Sequence, residues 1–476
     1  QDQDVINTTF RGGKIKELPG IYNYTATDDK FHTVKDPVII HYNGDVKPWS
    51  TERRCPNTMA SRYFAYLRLK PYRKFRSEFV RSRIVRTLKK AAGIDVYPSR
   101  VKVALIVDEY FGACGTAYGG YGFLARNYIA RYLPDTNISV EVLLSNKHRW
   151  KFAPNALTEK VDNRKVIVPP GRFFARQWLK KKKYDIYLTV ELTHNILKYE
   201  RRSKPIIHWI QDPRPWSEWL EIQTVKLFPE NSYWSSSLYD SVNKLYGKGL
   251  VTFVSQGYFL NDKAIELYRL PGDAPIAYMP NPIDIDYGFD PESYPKKNHI
   301  LFIGRIESIK RGWLFCEIAK QLPQYEFFML GQTFREKSQN ESIMAGYRDI
   351  PNLHLVGHVE GEEKMKYIRE AKILVNTSIH EALPITFLEA LAYGTLLVSC
   401  RNPEDLTSKF GRYTGPVLGD GFDKVPLFTS AIEELIENEG LRKELSCKAV
   451  EYIREIHPVH KFQQHMRKLI HDLAHK

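Results

Sequence analysis

Short, β-rich apolar runs alternate with helix-patterned stretches along most of this chain, and the alternation begins twice. Residues 101–107 read as a strand that runs into a glycine-rich turn, with a helix over 121–133 and a strand at 138–144 behind it. Further strands are expected at 186–190, 206–210 and 251–254. A strand, a turn, a helix and a strand again is βαβ logic, which demands a parallel sheet with helices on both faces. After the proline-rich stretch 280–295 the pattern restarts at residues 299–303, ending in Gly304. Helix 313–321, strands 325–330 and 353–356, helix 362–370 and strand 373–376 follow. The expected fold class is therefore α/β, with two doubly wound Rossmann-like domains in tandem. A cleft between the carboxyl ends of their strands is where such sheets take ligands. Boundaries fall at 99–290 for the first domain and 291–456 for the second. The last predicted helix, within 457–476, is expected to pack back on the first.

The 476 residues supply apolar material for more than one core, with 43% hydrophobic and 26% charged residues. That excludes a disordered or collagen-like chain. No apolar run approaches the roughly 18 residues of a membrane span. Five scattered cysteines, with no ligand-type spacing, favour a reducing cytoplasm. The sequence opens on Gln1 without a visible signal peptide, and is expected to begin inside something longer.

The net charge of +15 is concentrated. Residues 51–93 hold 13 Lys and Arg against two glutamates, interleaved with Tyr63, Phe64, Tyr66, Tyr72, Phe75 and Phe79. Cations beside rings suit the interface of an anionic membrane. A solvated linker is the plainer alternative. Nucleic acid, the third, lacks any accompanying fold signature, so no nucleic-acid partner is expected.

The most informative segment runs from Ser378 to Gly394 and places Glu381 and Glu389 eight positions apart. A strand ends just before it, and Pro384 sits where a helix would begin. The amides of Leu383, Ile385 and Thr386 would then point out of the helix start toward an anion. A helix cap plus a salt bridge would explain the two acids equally well in isolation. A second segment, Gly304-Arg305 to Lys310, sets two cations past a strand end, where they suit a diphosphate. The loop Gly119-Gly120-Tyr121-Gly122 does not match GxGxxG and so is no dinucleotide fingerprint.

Taken together, the E-x7-E element, the Gly-Arg…Lys pair, the glycine loop and Pro280-Asn281-Pro282-Ile283-Asp284 resemble glycosyltransferase family 4, whose members are retaining enzymes of the GT-B fold. The resemblance covers residues 101–476. It implies that Arg305 and Lys310 hold the donor diphosphate, with Gly304 beside them. Glu381 would contact the transferred sugar and Glu389 the nucleotide ribose. Leu383, Ile385 and Thr386 would offer backbone amides, and Gly120 would let the first domain approach the donor. The sequence departs from the family at Pro384, where a glycine is usual and one amide donor is lost. It departs again at Gln211, followed by Asp212, where many members carry a histidine. Asp212 and Arg214 are acceptor-side candidates on position alone.

Residues 1–50 carry a second resemblance. Asp2-Gln3, Leu18-Pro19 and His41-Tyr-Asn-Gly44-Asp-Val-Lys47-Pro48-Trp49 are similar to glycosyltransferase family 8, which includes lipopolysaccharide galactosyl- and glucosyltransferases. There His41 would ligate Mn2+, Gly44 and Lys47 would touch the donor diphosphate, and Asp2 and Gln3 would lie near the sugar. The nucleotide-binding half of that family is not in the sequence, so the segment is expected to be a C-terminal fragment of a bifunctional parent. Residues 51–98 would be its basic, partly helical, membrane-associating tail.

The expectation is a retaining glycosyltransferase, metal-independent in its family 4 domain and without cofactor. Mn2+ would enter only through a complete family 8 domain. The donor would be a UDP-, GDP- or dTDP-sugar and the acceptor a surface polysaccharide, lipopolysaccharide or lipid-linked glycan. The enzyme would sit on the inner face of the cytoplasmic membrane. The competing class is a non-catalytic lipid- or nucleic-acid-binding protein built on the basic segment. A pyridoxal-phosphate-dependent GT-B phosphorylase would need a lysine motif that the sequence does not show.

Overall fold

The computed structural model describes residues 24–26, 40–42, 100–145, 149–191, 197–198, 200, 202–230, 232, 236–333 and 337–475. The chain divides into two compact units, 1–99 and 100–476. In the first, strands β1 (Tyr24–Ala26) and β2 (Ile40–Tyr42) pair in parallel, with Thr25 opposite His41. Of the family 8 residues, His41 lies in that strand; Asp2, Gln3, Gly44 and Lys47, like the whole segment 51–98, fall outside the described residues.

The second unit holds two sheets. The first contains β3 (Val101–Val107), β4 (Ile138–Leu144), β5 (Leu157–Val161), β6 (Arg164–Val168), β7 (Ile186–Val190), β8 (Ile206–Ile210), β9 (Val251–Ser255) and β10 (Ile276–Tyr278). Their order is β10-β9-β8-β7-β3-β4-β6-β5, parallel throughout except for β5 against β6. Strands β7 and β8 are buried at every position, the signature of a sheet covered on both faces. The second sheet contains β11 (Lys297–Ile303), β12 (Glu326–Leu330), β13 (Leu353–Gly357), β14 (Ala371–Asn376), β15 (Leu396–Ser399) and β16 (Gly411–Tyr413). It is parallel throughout, in the order β13-β12-β11-β14-β15-β16.

Strand order reverses once in each sheet, between β7 and β3–β4 in the first and between β12–β11 and β14 in the second. At a reversal the following helices leave to opposite faces and open a crevice at the strands' carboxyl ends. The loops leaving β3, β11 and β14 therefore lie at these crevices. They are the glycine loop, the Gly304–Lys310 segment and the Asn376–Glu381 segment.

The helices that cover the first sheet include α1 over residues 120–132, with a wide π turn at Leu124–Ile129, and α2 (Arg172–Lys182). Helix α3 (Trp216–Ile222) instead buries Trp219 and Ile222 in the core of the second sheet, while α4 (Ser236–Tyr246) and α5 (Asn261–Tyr268) join the cover of the first. The second sheet carries α6 (Gly312–Gln321), α7 (Lys337–Ala345), α8 (Gly361–Glu370) and α9 (Ile385–Ala392), then α10 (Val425–Glu437) and α11 (Glu439–Ile456). The last helix, α12 (Val459–Ala474), leaves the second sheet and docks on the first. Phe462 stacks on Trp209 with centroids 5.5 Å apart, and the Arg467 guanidinium donates to the carbonyls of Tyr132 and Leu133.

The hairpin of β5 and β6 has no counterpart in the periodicity reading. Its strand Leu-Thr-Glu-Lys-Val is exposed and charged, so no alternation marks it. Its turn is Asp162-Asn163, both with positive φ (48° and 61°), the conformation a two-residue hairpin needs and one that Asp and Asn tolerate.

Candidate active site

Two loops of the second sheet are fastened to each other before any ligand is considered. The Thr377 hydroxyl donates to Lys310 O at 2.8 Å and the Ile379 amide to Ile309 O at 2.8 Å. Arg311, fully buried and in the left-handed region (φ 47°), lies beneath them. Its guanidinium donates to the carbonyls of Thr377 (2.7 Å), Val417 (3.0 Å) and Gly419 (2.9 Å). This is a cation spent on backbone, and it fixes the strand-end geometry from below.

Glu381 hangs from that frame. One carboxylate oxygen accepts from Lys310 Nζ (2.5 Å), Ser378 Oγ (2.6 Å) and Asn376 Nδ2 (2.9 Å). Burial alone would raise its pKa, but the Lys310 ammonium and the two polar donors outweigh burial and hold it below the usual carboxylate range. Glu381 is an anion with one oxygen committed to this cluster.

Just beyond, Pro384 forms the N-cap of α9 and Leu383 is buried. The first turn leaves the Ile385 and Thr386 amides without intrahelical acceptors, pointing along the helix axis at the strand-end crevice. Glu389 lies one turn inside. Its Oε1 pairs with Lys364 of α8 at 2.7 Å, and its buried Oε2 has no hydrogen-bond partner. Lys364 in turn lies 4.6 Å over the Phe123 ring of α1, so this helix reaches across to the first domain. Arg305 pairs with Glu307 at 3.0 Å. Beside it the backbone is tight: a Cβ on Gly331 (φ 152°) would stand 1.8 Å from Gly304 O.

On the facing edge, the glycine loop is organised by an acid. Glu109 Oε1 accepts from the Gly122 amide (3.1 Å), and a Cβ on Gly119 would fall 2.0 Å from that carboxylate. Gly120, by contrast, faces open space. The steric demand for glycine therefore sits at Gly119, while Gly120 leaves room for a ligand. Burial raises the Glu109 pKa, and the Gly122 amide and the Arg305 charge across the cleft temper the rise.

Asp212 and Arg214 pair with each other at 2.6 Å, and Asp212 also meets His380 Nε2 at 2.7 Å. Burial works against the Asp212 charge, but Arg214 and His380 overcome it and push its pKa far down. Asp212 thus touches the residue next to Glu381, and Arg214 is joined to it through Asp212. The loop carrying them is held by Glu191, whose Oε2 accepts from the Gln211 (2.6 Å) and Asp212 (2.8 Å) amides while Tyr268 donates to Oε1. Glu191 is completely buried, and burial pushes its pKa up to about 7. Among the described residues, Asp212, Glu218 and His380 alone gather metal-type ligand atoms within 4.8 Å of one another. Arg214 and Lys263 already neutralise the two acids, which reads as an interdomain ion cluster more readily than a metal centre.

Glu109, Glu191, Lys364 and His380 were not legible in sequence. The first three have no local motif. His380 is adjacent to Glu381, but only the fold brings Asp212 and Glu218 to it.

Residues 286–452 match the family model for Glycosyl transferases group 1, and residues 1–53 match that for Glycosyl transferase family 8. The sucrose-phosphate synthase of Thermosynechococcus elongatus superposes with a TM-score of 0.59 at 15% identity, over 79% of this chain and 99% of that one. The pneumococcal O-GlcNAc transferase GtfA, in complex with UDP and GlcNAc, gives 0.58 at 12% identity, over 79% and 100%. Anabaena HepE in complex with UDP-glucose gives 0.54 at 10% identity, over 78% and 99%. No curated protein sequence matches significantly. The fold is GT-B. A glycosyltransferase acting on a nucleotide sugar is the activity that the GT-B frame and the group 1 match support. At these identities the solved structures speak for the fold alone.

Proposed function

We propose that this chain is a retaining, metal-independent glycosyltransferase of the family 4 type. It moves a sugar from a UDP-, GDP- or dTDP-sugar onto a surface polysaccharide, lipopolysaccharide or lipid-linked glycan. The observation that carries the reading is the Glu381–Lys310 pair at a strand-order reversal, directly ahead of the open amides of α9. A diphosphate placed there meets Lys310, Arg305 and the helix start, which stabilise the charge that develops on the leaving phosphate. Glu381 faces the transferred sugar. Glu389, with one buried oxygen free, suits the ribose hydroxyls. In the reaction the bond from the anomeric carbon to the phosphate oxygen breaks and one to the acceptor oxygen forms on the same face. The acceptor proton passes to the departing phosphate. UDP stands in the solved GtfA and HepE complexes, which makes a uridine donor the first to try.

The test is a donor-hydrolysis screen over the three nucleotide classes with wild type and Glu381→Ala, with and without EDTA. Turnover of one donor by wild type, unaffected by EDTA and depressed in the variant, is the expected outcome. Absence of turnover and of donor binding would leave the non-catalytic lipid-binding reading. Loss in EDTA restored by Mn2+ would overturn metal independence for this domain, since Mn2+ is proposed only for a complete family 8 domain. Among the described residues, no helix is long and apolar enough to cross a membrane. We place the enzyme peripherally on the inner face of the cytoplasmic membrane through residues 51–93. Replacing the cations of that segment with glutamine is expected to weaken flotation with anionic vesicles, and unchanged flotation would make the segment a linker.

A further inference from the structure

A cluster of aromatic rings lies exposed on the surface of the first domain. Trp150 is 67% exposed, Phe152 38%, Phe173 66% and Phe174 42%. Three of them form one group: Trp150 and Phe152 meet edge to face at 5.6 Å, and Phe152 and Phe173 lie 4.6 Å apart. The group is built, since the Gly171 amide donates to Ala153 O and the Phe173 amide to Lys151 O, which lashes the 149–155 loop to the start of α2. Single exposed rings are ordinary; a joined set held by backbone hydrogen bonds is not.

The helix beneath them decides what the rings face. From 172 to 183 it carries six cations and no acid. Arg172, Arg176 and Lys180 line the solvent face beside Phe173, while Ala175 and Leu179 turn inward. Lys181 in the last turn and Lys183 just past the helix end extend the charge, both exposed. None of these five exposed cations makes an ion pair among the described residues. Rings at one end of a helix and unpaired cations along its outer face are complementary to an anionic lipid surface: rings enter the acyl boundary and cations meet headgroups.

Topology gives the surface its use. β4 and β6 run parallel to β3, so the loop after β4 and the start of α2 stand at the same sheet edge as the glycine loop. We propose that Trp150, Phe152, Phe173 and the outer face of α2 form a docking surface for an anionic bilayer, independent of residues 51–93, which sets the rim of the acceptor domain on the membrane. The purpose, delivery of a lipid-linked acceptor to the cleft, rests on the transferase reading; the docking itself does not.

The experiment uses the full chain and vesicles of phosphatidylcholine with and without about 30% phosphatidylglycerol, read by flotation. Two variants are compared with wild type: Trp150→Ser/Phe152→Ser/Phe173→Ser, and Lys180→Glu/Lys181→Glu/Lys183→Glu. All six positions are exposed, and circular dichroism checks the fold. The ring variant is expected to lower partitioning at least about tenfold, and the charge-reversed variant to reduce, below wild type, the gain in flotation that phosphatidylglycerol gives. Wild type that does not float, or variants that float as wild type does, overturns the proposal. Flotation unchanged with a smaller oligomer in the ring variant would assign the rings to a contact between copies of this chain. A nucleotide-binding measurement on the same samples separates failure of docking from failure of the transferase reading.

Discussion

The two edges of the cleft solve the same problem with different partners. On the second domain, acids meet cations: Glu381 has Lys310, Glu389 has Lys364, and Arg305 has Glu307. On the first domain, Glu109 and Glu191 meet backbone amides and a tyrosine instead. Burial is common to both edges, and the partner decides the outcome. Glu381 stays below the usual carboxylate range, whereas Glu109 and Glu191 rise above it. The charged edge is the one proposed to receive the donor diphosphate. On the first domain Glu109 and Glu191 shape loops, among them the one that carries the Asp212–Arg214 ion pair.

The largest effect is expected beneath the charged edge. Arg311→Met would leave the carbonyls of Thr377, Val417 and Gly419 buried without their donor, at a cost of roughly 3–5 kcal/mol. Thermal unfolding should show a fall of several degrees, and a variant as stable as wild type would mean that the frame under Glu381 does not depend on this cation.

Next is Glu191 on the other edge. Its folded pKa lies near 7, above the unfolded carboxyl value, so between about pH 4.5 and 7 the native state binds more protons than the unfolded one. Wild-type stability should fall as pH rises through that window, by up to roughly 3 kcal/mol. Glu191→Gln should remove that slope. Parallel stability–pH curves for the two proteins would show that Glu191 titrates normally.

Lys310→Ala converts Glu381 into an acid of the other kind, buried with neutral donors only. Loss of one charge-assisted contact to the diphosphate should lower turnover by roughly 10- to 150-fold, about 1.5–3 kcal/mol. The acidic limb of the pH–rate profile should also move to higher pH. If turnover falls while the limb stays in place, Lys310 binds donor but does not set the charge of Glu381.

The smallest change is expected from Glu389→Ala. Contacts to ribose form alike in ground and transition states, so donor affinity should weaken about tenfold with turnover nearly unchanged. A drop in turnover at constant affinity would exchange the assigned places of the two glutamates.

Sequence alone determined the alternation of strands and helices, its restart near residue 299, and the loops that carry Glu381, Glu389, Arg305 and Lys310. These are properties of period and of neighbours within a few positions, which a chain states locally. Strand edges came out within two residues at β3, β4, β7, β8 and β11, because a buried parallel strand is a continuous apolar run. The charged strand β5 and the short strands β10 and β16 gave no such run and are defined by their partners, whereas β15 is a buried, mainly apolar run of only four residues, absent from the expected strands. The cleft's electrostatics were decided only in three dimensions. Lys310 and Glu381 are 71 positions apart, His380 and Asp212 are 168 apart, and Gly119 is a glycine because of Glu109. Charge acts through space at a few ångströms and is blind to sequence separation, so which acid meets a cation and which meets an amide was settled by the packing of two sheets.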